Sequence, residues 1–140
     1  MTVRVAGLWE LGWNTPIKEV ELWEFPVRDF GVERFYMTPV SGIRPDIIIQ
    51  ERHSMEEILA ENEDLTVVHI DERGKEPLHS FVHPENALYV FGKVSLSAMV
   101  AYGRPGDRSV KISTPLNLGV LWPHQCLSLV LYDRFLKAQG

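Results

Sequence analysis

The chain has 140 residues, 45% of them apolar, and a formal net charge of −5. That length matches one ordinary domain, and the apolar content is too high for a disordered chain. The acidic balance argues for solubility and against wholesale electrostatic binding to nucleic acid, although charge can still segregate into a local basic face.

In chain order, Thr2 to Leu8 is short and β-rich and reads as a first strand rather than a signal peptide. A loop from Glu10 to Pro16 follows. Thr15 can cap a helix whose first turn holds Pro16, and Ile17, Val20, Leu22, Trp23, Val27 and Phe30 form roughly a helical stripe. Pro26 should kink or shorten this helix, and Gly31 is a natural end for it. Arg34 to Met37 reads as a second strand and Asp46 to Ile49 as a further extended piece. Ser54 caps a short helix, Met55 to Asn62, and Glu57 completes a capping box. Leu65 to Ile70 is a β-branched run typical of a buried strand, and Asp71 to Lys75 is a polar turn.

His83-Pro84-Glu85-Asn86 leads into a second buried strand, Ala87 to Phe91. Ser95 to Tyr102 suits a short helix, Gly103 to Arg108 a turn, Ser109 to Ile112 a last strand, and His124 to Lys137 a final helix. Strands that alternate with helices predict an α/β fold: an open, mostly parallel sheet with helices on both faces. No apolar run approaches the ~20 residues of a membrane span. The lone Cys126 excludes an intrachain disulfide, fits a reduced, cytoplasmic compartment, and sits in an apolar run that predicts a buried structural thiol.

The sequence carries no phosphate loop, no dinucleotide fingerprint and no nucleophile elbow, and its five histidines lack zinc-site spacing, so no metal is expected. Two stretches stand out. Leu88-Tyr89-Val90-Phe91-Gly92-Lys93 is a buried strand that runs straight into a glycine. In open α/β sheets ligands bind beyond the carboxyl ends of strands, and a glycine lets backbone approach a ligand. Pro115-Leu116-Asn117-Leu118-Gly119-Val120-Leu121-Trp122-Pro123-His124-Gln125 is too apolar for an ordinary surface loop, so it should be buried by the fold, a partner or a ligand.

These stretches resemble the SPOUT superfamily of RNA methyltransferases, in particular its TrmH/SpoU branch. The likeness is strongest from His83 to Gly92, at Val110-Lys111-Ile112 and at Leu129-Val130-Leu131-Tyr132-Asp133. Gly7-Leu8-Trp9, Asn14-Thr15-Pro16 and Phe30-Gly31-Val32 match the family's first strand, substrate loop and first-helix end. The resemblance implies a single α/β domain over residues 1–140 with a C-terminal trefoil knot and a homodimer. It implies S-adenosylmethionine held by Phe91, Gly92, Lys93, Ile112, Leu116 and Leu121, and methyl transfer to a ribose 2′-hydroxyl of tRNA or rRNA. Asn14, Lys18 and His124 are the substrate-binding residues it suggests.

The chain departs from the family on the catalytic side. The family's first helix carries an Asn and an Arg, and counted back from Gly31 those places hold Glu19 and Phe25. Arg28, about one turn further along, is the catalytic substitute the pattern offers. No acidic residue follows Phe91-Gly92 in Lys93-Val94-Ser95-Leu96-Ser97. A second expectation therefore stands beside the first: a homologue that has lost catalysis and serves as an RNA- or protein-binding dimer.

Overall fold

The computed structural model describes residues 1–10, 16–42 and 49–139. The strands are β1 (Thr2–Leu8), β2 (Arg34–Thr38), β3 (Ile49–Glu51), β4 (Thr66–Ile70), β5 (Glu76–Pro77), β6 (Asn86–Phe91) and β7 (Arg108–Lys111). The helices are α1 (Pro16–Asp29), α2 (Met55–Glu61), α3 (Ala98–Tyr102) and α4 (Pro123–Gln139), with a 3₁₀ turn over Leu78–Ser80.

The strands form one sheet in the order β3-β2-β1-β6-β4-β7-β5, and every pairing between them is parallel. β1 and β6 lie side by side in the interior, with Val5 opposite both Phe35 and Tyr89. Their near-continuous apolar runs follow from this placement, because an interior strand of a parallel sheet is covered on both faces. α1 and α4 cover one face: Val20, Trp23 and Val27 join Leu127, Val130 and Leu131 around the sheet residues Phe35, Tyr89 and Phe91. Trp23 anchors this layer, stacked on Phe35 at 5.7 Å and edge-on to Phe91 at 6.0 Å. α2 and α3 cover the other face through Met55, Ile58, Leu59 and Ala98.

Several sequence expectations are adjusted. α1 is not shortened by Pro26: it runs on to Asp29, and the amide of Phe30 donates to the Pro26 carbonyl at 3.1 Å. The proline lies in the last turns, where its missing N–H costs a single helix bond. The helix then ends as expected at Gly31, whose φ of +65° closes a Schellman motif in which Val32 donates to the Val27 carbonyl at 3.0 Å. Ser54 caps α2 by accepting from the Glu57 amide at 3.2 Å, while the Glu57 carboxylate turns back to the His53 amide at 2.9 Å. α3 starts later than expected, at Ala98, because Lys93 and Leu96 close a tight turn ahead of it and Ser97 becomes its cap. Most of the extended piece expected at Asp46 to Ile49 lies outside the described residues.

The amino-terminal edge of the sheet is tied to α4 by a polar network. His83 Nδ1 lies 2.7 Å from the Tyr89 hydroxyl and His83 Nε2 lies 2.7 Å from Asp133 Oδ2. Arg134 donates to the Tyr89 oxygen at 2.8 Å and to the carbonyls of Pro84 and Glu85 at 2.6 and 3.0 Å. An arginine only donates, so the Tyr89 hydroxyl donates to His83 Nδ1 and the imidazole donates its Nε2–H to the Asp133 carboxylate. Burial lowers the His83 pKa, which favours the neutral ring this relay requires. Lys137 donates to the carbonyls of Leu78 and Phe81 at 2.6 and 2.9 Å and completes the clamp.

Candidate functional site

At the opposite, carboxyl-terminal edge, the segments that follow β4, β6 and β7 enclose a cavity of about 890 Å³. That volume lies within the range of small-molecule sites. Its walls are residues 70–73, 91–97 and the long 112–122 loop. Phe91, Gly92, Lys93, Ile112, Leu116 and Leu121, the six residues nominated for the cofactor, all line it.

The 112–122 loop is not buried by the fold. Leu116, Leu118 and Val120 are 77%, 66% and 70% exposed, so the apolar surface expected to be covered faces the cavity and solvent instead. Trp122 is half-buried. The loop keeps its shape through Asn117 and Gly119, both left-handed at φ +51° and +66°, and through the Asn117 amide, which donates to the Thr114 hydroxyl at 3.1 Å.

Gly92 has a reason that the sequence did not reveal. A Cβ there would stand 2.5 Å from the Leu96 carbonyl oxygen and 2.8 Å from the Ala98 amide. The glycine first serves the 93–96 turn folding back on its own strand. Cys126 also lines the cavity, half-buried, and burial pushes its thiol up to about 11, which makes it a poor nucleophile, in keeping with a structural thiol.

A second, small cavity of about 10 Å³, room for about one water, adjoins the first. Lys93, Trp122 and Pro123 line both cavities, and Glu10, Glu19 and His124 face the smaller one. Glu19 is 1% exposed and accepts from the Glu10 amide at 2.7 Å, while the Glu10 carboxylate accepts from the Val94 amide. Glu10 thereby brings an acid to the turn after Phe91-Gly92 from a distant part of the chain. Burial lowers the pKa of His124, in the first turn of α4, so its ring is held neutral.

The remaining nominated residues are not gathered here. Lys18 lies in the first turn of α1, exposed, 3.5 Å from Glu21, and lines neither cavity. Arg28 lies in the last turn of α1, paired with Glu24 at 2.8 Å. α1 runs back antiparallel to β1, so Arg28 stands towards the amino-terminal edge and lines neither cavity. Asn14 lies outside the described residues. Sequence reasoning passed over Asp71, Glu72 and Arg73, which read only as a polar turn; their position after a buried strand was the available signal. Among the described residues no group of three or more His, Cys, Asp or Glu is arranged to hold a metal ion, and no helix is long and apolar enough to cross a membrane.

No protein-family model matches this sequence, and no curated protein matches it. Solved structures do. One concerns 2-OH methylation of C/U34 on tRNA, with 12% identity over 100% of this chain and 93% of that chain and a TM-score of 0.76. Another is the SpoU methyltransferase AviRb from Streptomyces viridochromogenes in complex with AdoMet, with 14% identity over 100% of this chain and 61% of that chain and a TM-score of 0.78. A third is an RNA 2′-O ribose methyltransferase, with 12% identity over 99% of this chain and 57% of that chain and a TM-score of 0.79. The likeness is one of fold: the parallel sheet covered on both faces is the fold of these SpoU/TrmH RNA methyltransferase structures.

Proposed function

We propose that this chain is an S-adenosylmethionine-dependent methyltransferase that acts on a ribose 2′-hydroxyl of tRNA or rRNA in the cytoplasm. The observation that carries the reading is the cavity at the strand ends, whose walls hold all six nominated residues and whose apolar loop has no cover from the fold. This chemistry suits the cofactor: Phe91, Ile112, Leu116 and Leu121 offer apolar contact to an adenosyl group.

The bound cofactor supplies an electrophilic methyl on a sulfonium, so the protein need only position and deprotonate the acceptor. A bound adenosyl group would cover the exposed apolar side chains of the 112–122 loop and displace water from them. The neutral imidazole of His124 orients the acceptor hydroxyl and takes its proton at a ring nitrogen. Lys93, shared by the two cavities, meets the substrate's phosphate, and Lys18, exposed on α1 outside both cavities, is a second cation for the nucleic-acid backbone. A catalytic role for Arg28 requires a second protomer to carry it to the cavity. Tyr132, Phe135 and Leu136 of α4 and Phe25 of α1 leave an exposed apolar face suited to such a homodimer. The trefoil knot over the C-terminal half is part of the same reading; stretching the chain by its ends should leave a contour shortened by the tightened knot.

The test is titration calorimetry with S-adenosylmethionine, followed by radiolabel transfer to bulk tRNA and rRNA and by sedimentation equilibrium. Micromolar binding, labelled RNA and a dimer are expected; no binding at millimolar cofactor would end the proposal. The second reading, a binding homologue without catalysis, is favoured by Phe25 at the family's arginine place and by the pairing of Arg28 with Glu24. Cofactor binding without transfer to any RNA fraction would select it.

A further inference from the structure

We propose that Glu72 recognises the positive charge of the ligand in the large cavity and sets its preference for a cationic over a neutral nucleoside. The inference rests on reading that cavity as an S-adenosylmethionine site.

Glu72 stands on a turn that cannot easily move. The Asp71 amide donates to the Val110 carbonyl at 3.0 Å, and the Gly74 amide donates back to the Asp71 carbonyl at 2.9 Å. A Cβ on Gly74 would lie 2.4 Å from the Val110 backbone, so the turn is pressed against β7. The two carboxylates of this turn are used differently. Asp71 has both oxygens engaged, one by the Arg73 amide at 2.9 Å and the other by the Ser97 hydroxyl at 2.5 Å. Glu72 makes no hydrogen bond or ion pair with any described residue. Arg73 and Lys93 line the same cavity, and neither is paired with it.

The Glu72 side chain nevertheless has a defined place. A Cβ on Gly119 would stand 2.1 Å from Glu72 Oε2, so the carboxylate reaches from the 71–74 turn to the far wall and occupies the space that Gly119 leaves empty. That wall is the apolar 112–122 loop. A carboxylate that reaches across the cavity and is paired with neither Arg73 nor Lys93 gains from a cation delivered by a ligand. S-adenosylmethionine carries two, the sulfonium and the amino-acid ammonium. A neutral nucleoside carries none and gains nothing from the carboxylate, so the difference between the two ligands measures the charge contact.

The experiment compares the full chain and Glu72→Gln by calorimetry with S-adenosylmethionine and 5′-methylthioadenosine, the latter being neutral. Glutamine keeps the size and the reach to Gly119 and removes the charge. S-adenosylmethionine should bind the variant about tenfold more weakly, with 5′-methylthioadenosine unchanged. In the unmodified chain, rising salt should weaken the first ligand and spare the second. Equal weakening of both ligands, or of neither, overturns the proposal and leaves Glu72 as a support for the loop. If the unmodified chain binds neither ligand, the cofactor reading itself fails and takes this inference with it.

Discussion

The two edges of the sheet are built on opposite plans. At the amino-terminal edge, polar groups are matched within the protein: His83, Tyr89, Asp133 and Arg134 form a continuous relay, and Arg4 binds both Glu33 at 2.8 Å and Asn62 at 2.7 Å. At the carboxyl-terminal edge, Glu72 has no partner among the described residues, and Leu116, Leu118 and Val120 stand exposed around a cavity. A satisfied network stabilises the fold and has nothing left for a ligand, whereas an unsatisfied edge costs stability and keeps groups free for binding. The division teaches that stability and recognition are placed at separate ends of the same strands. β6 joins them, with the Tyr89 hydroxyl in the relay and Phe91-Gly92 in the cavity wall.

Substitutions at each end can break or sharpen that division. The largest expected effect is Asp133→Ala. It strips His83 and Lys137 of their carboxylate partner and should cost about 2–4 kcal/mol in urea unfolding, with cofactor affinity preserved. A matching loss of affinity would mean that the edges are coupled rather than divided. Gly92→Ala should act in reverse. The new Cβ displaces the Leu96 carbonyl and reshapes the cavity, so ligand affinity should fall at least tenfold for about 1–3 kcal/mol of stability. A structure of this variant with an unmoved 93–96 turn would refute the packing argument.

The smallest effect is the pH dependence. Burial lowers the pKa values of both His83 and His124 from the usual 6.5, so the unfolded chain binds protons more readily than the native one. Their contribution is complete above about pH 6.5 and is lost as pH falls towards the folded values. Melting curves between pH 7.5 and 5.5 should show the decline, and the double variant His83→Gln, His124→Gln should flatten it. An undiminished slope in that variant would assign the titration to other groups.

Much of the framework was legible residue by residue. The β-branched run from Leu65 to Ile70 and the apolar run from Ala87 to Phe91 read as buried strands, and β4 and β6 lie inside the sheet. Ser54 with Glu57, and Gly31, marked helix ends through local hydrogen bonds that need no distant partner. The walls of the cavity were legible too, because a glycine at a strand end and an apolar loop are contiguous in sequence. The place of the end of α1 was not. Arg28 was picked for its spacing along a helix, and spacing cannot say towards which edge of the sheet the last turn of that helix is carried.

What the sequence determined by itself is the alternation of strands and helices, the helix caps and the presence of an unusual apolar loop, since all three follow from local conformational preference and the period of apolar residues. The tertiary structure alone decided that this loop lies open over a cavity, that Gly92 serves its own turn, and that Glu10 and Glu72 reach the site from separate loops. Those facts depend on which strand ends become neighbours in a parallel sheet, and residues far apart in the chain meet there only after the sheet has formed.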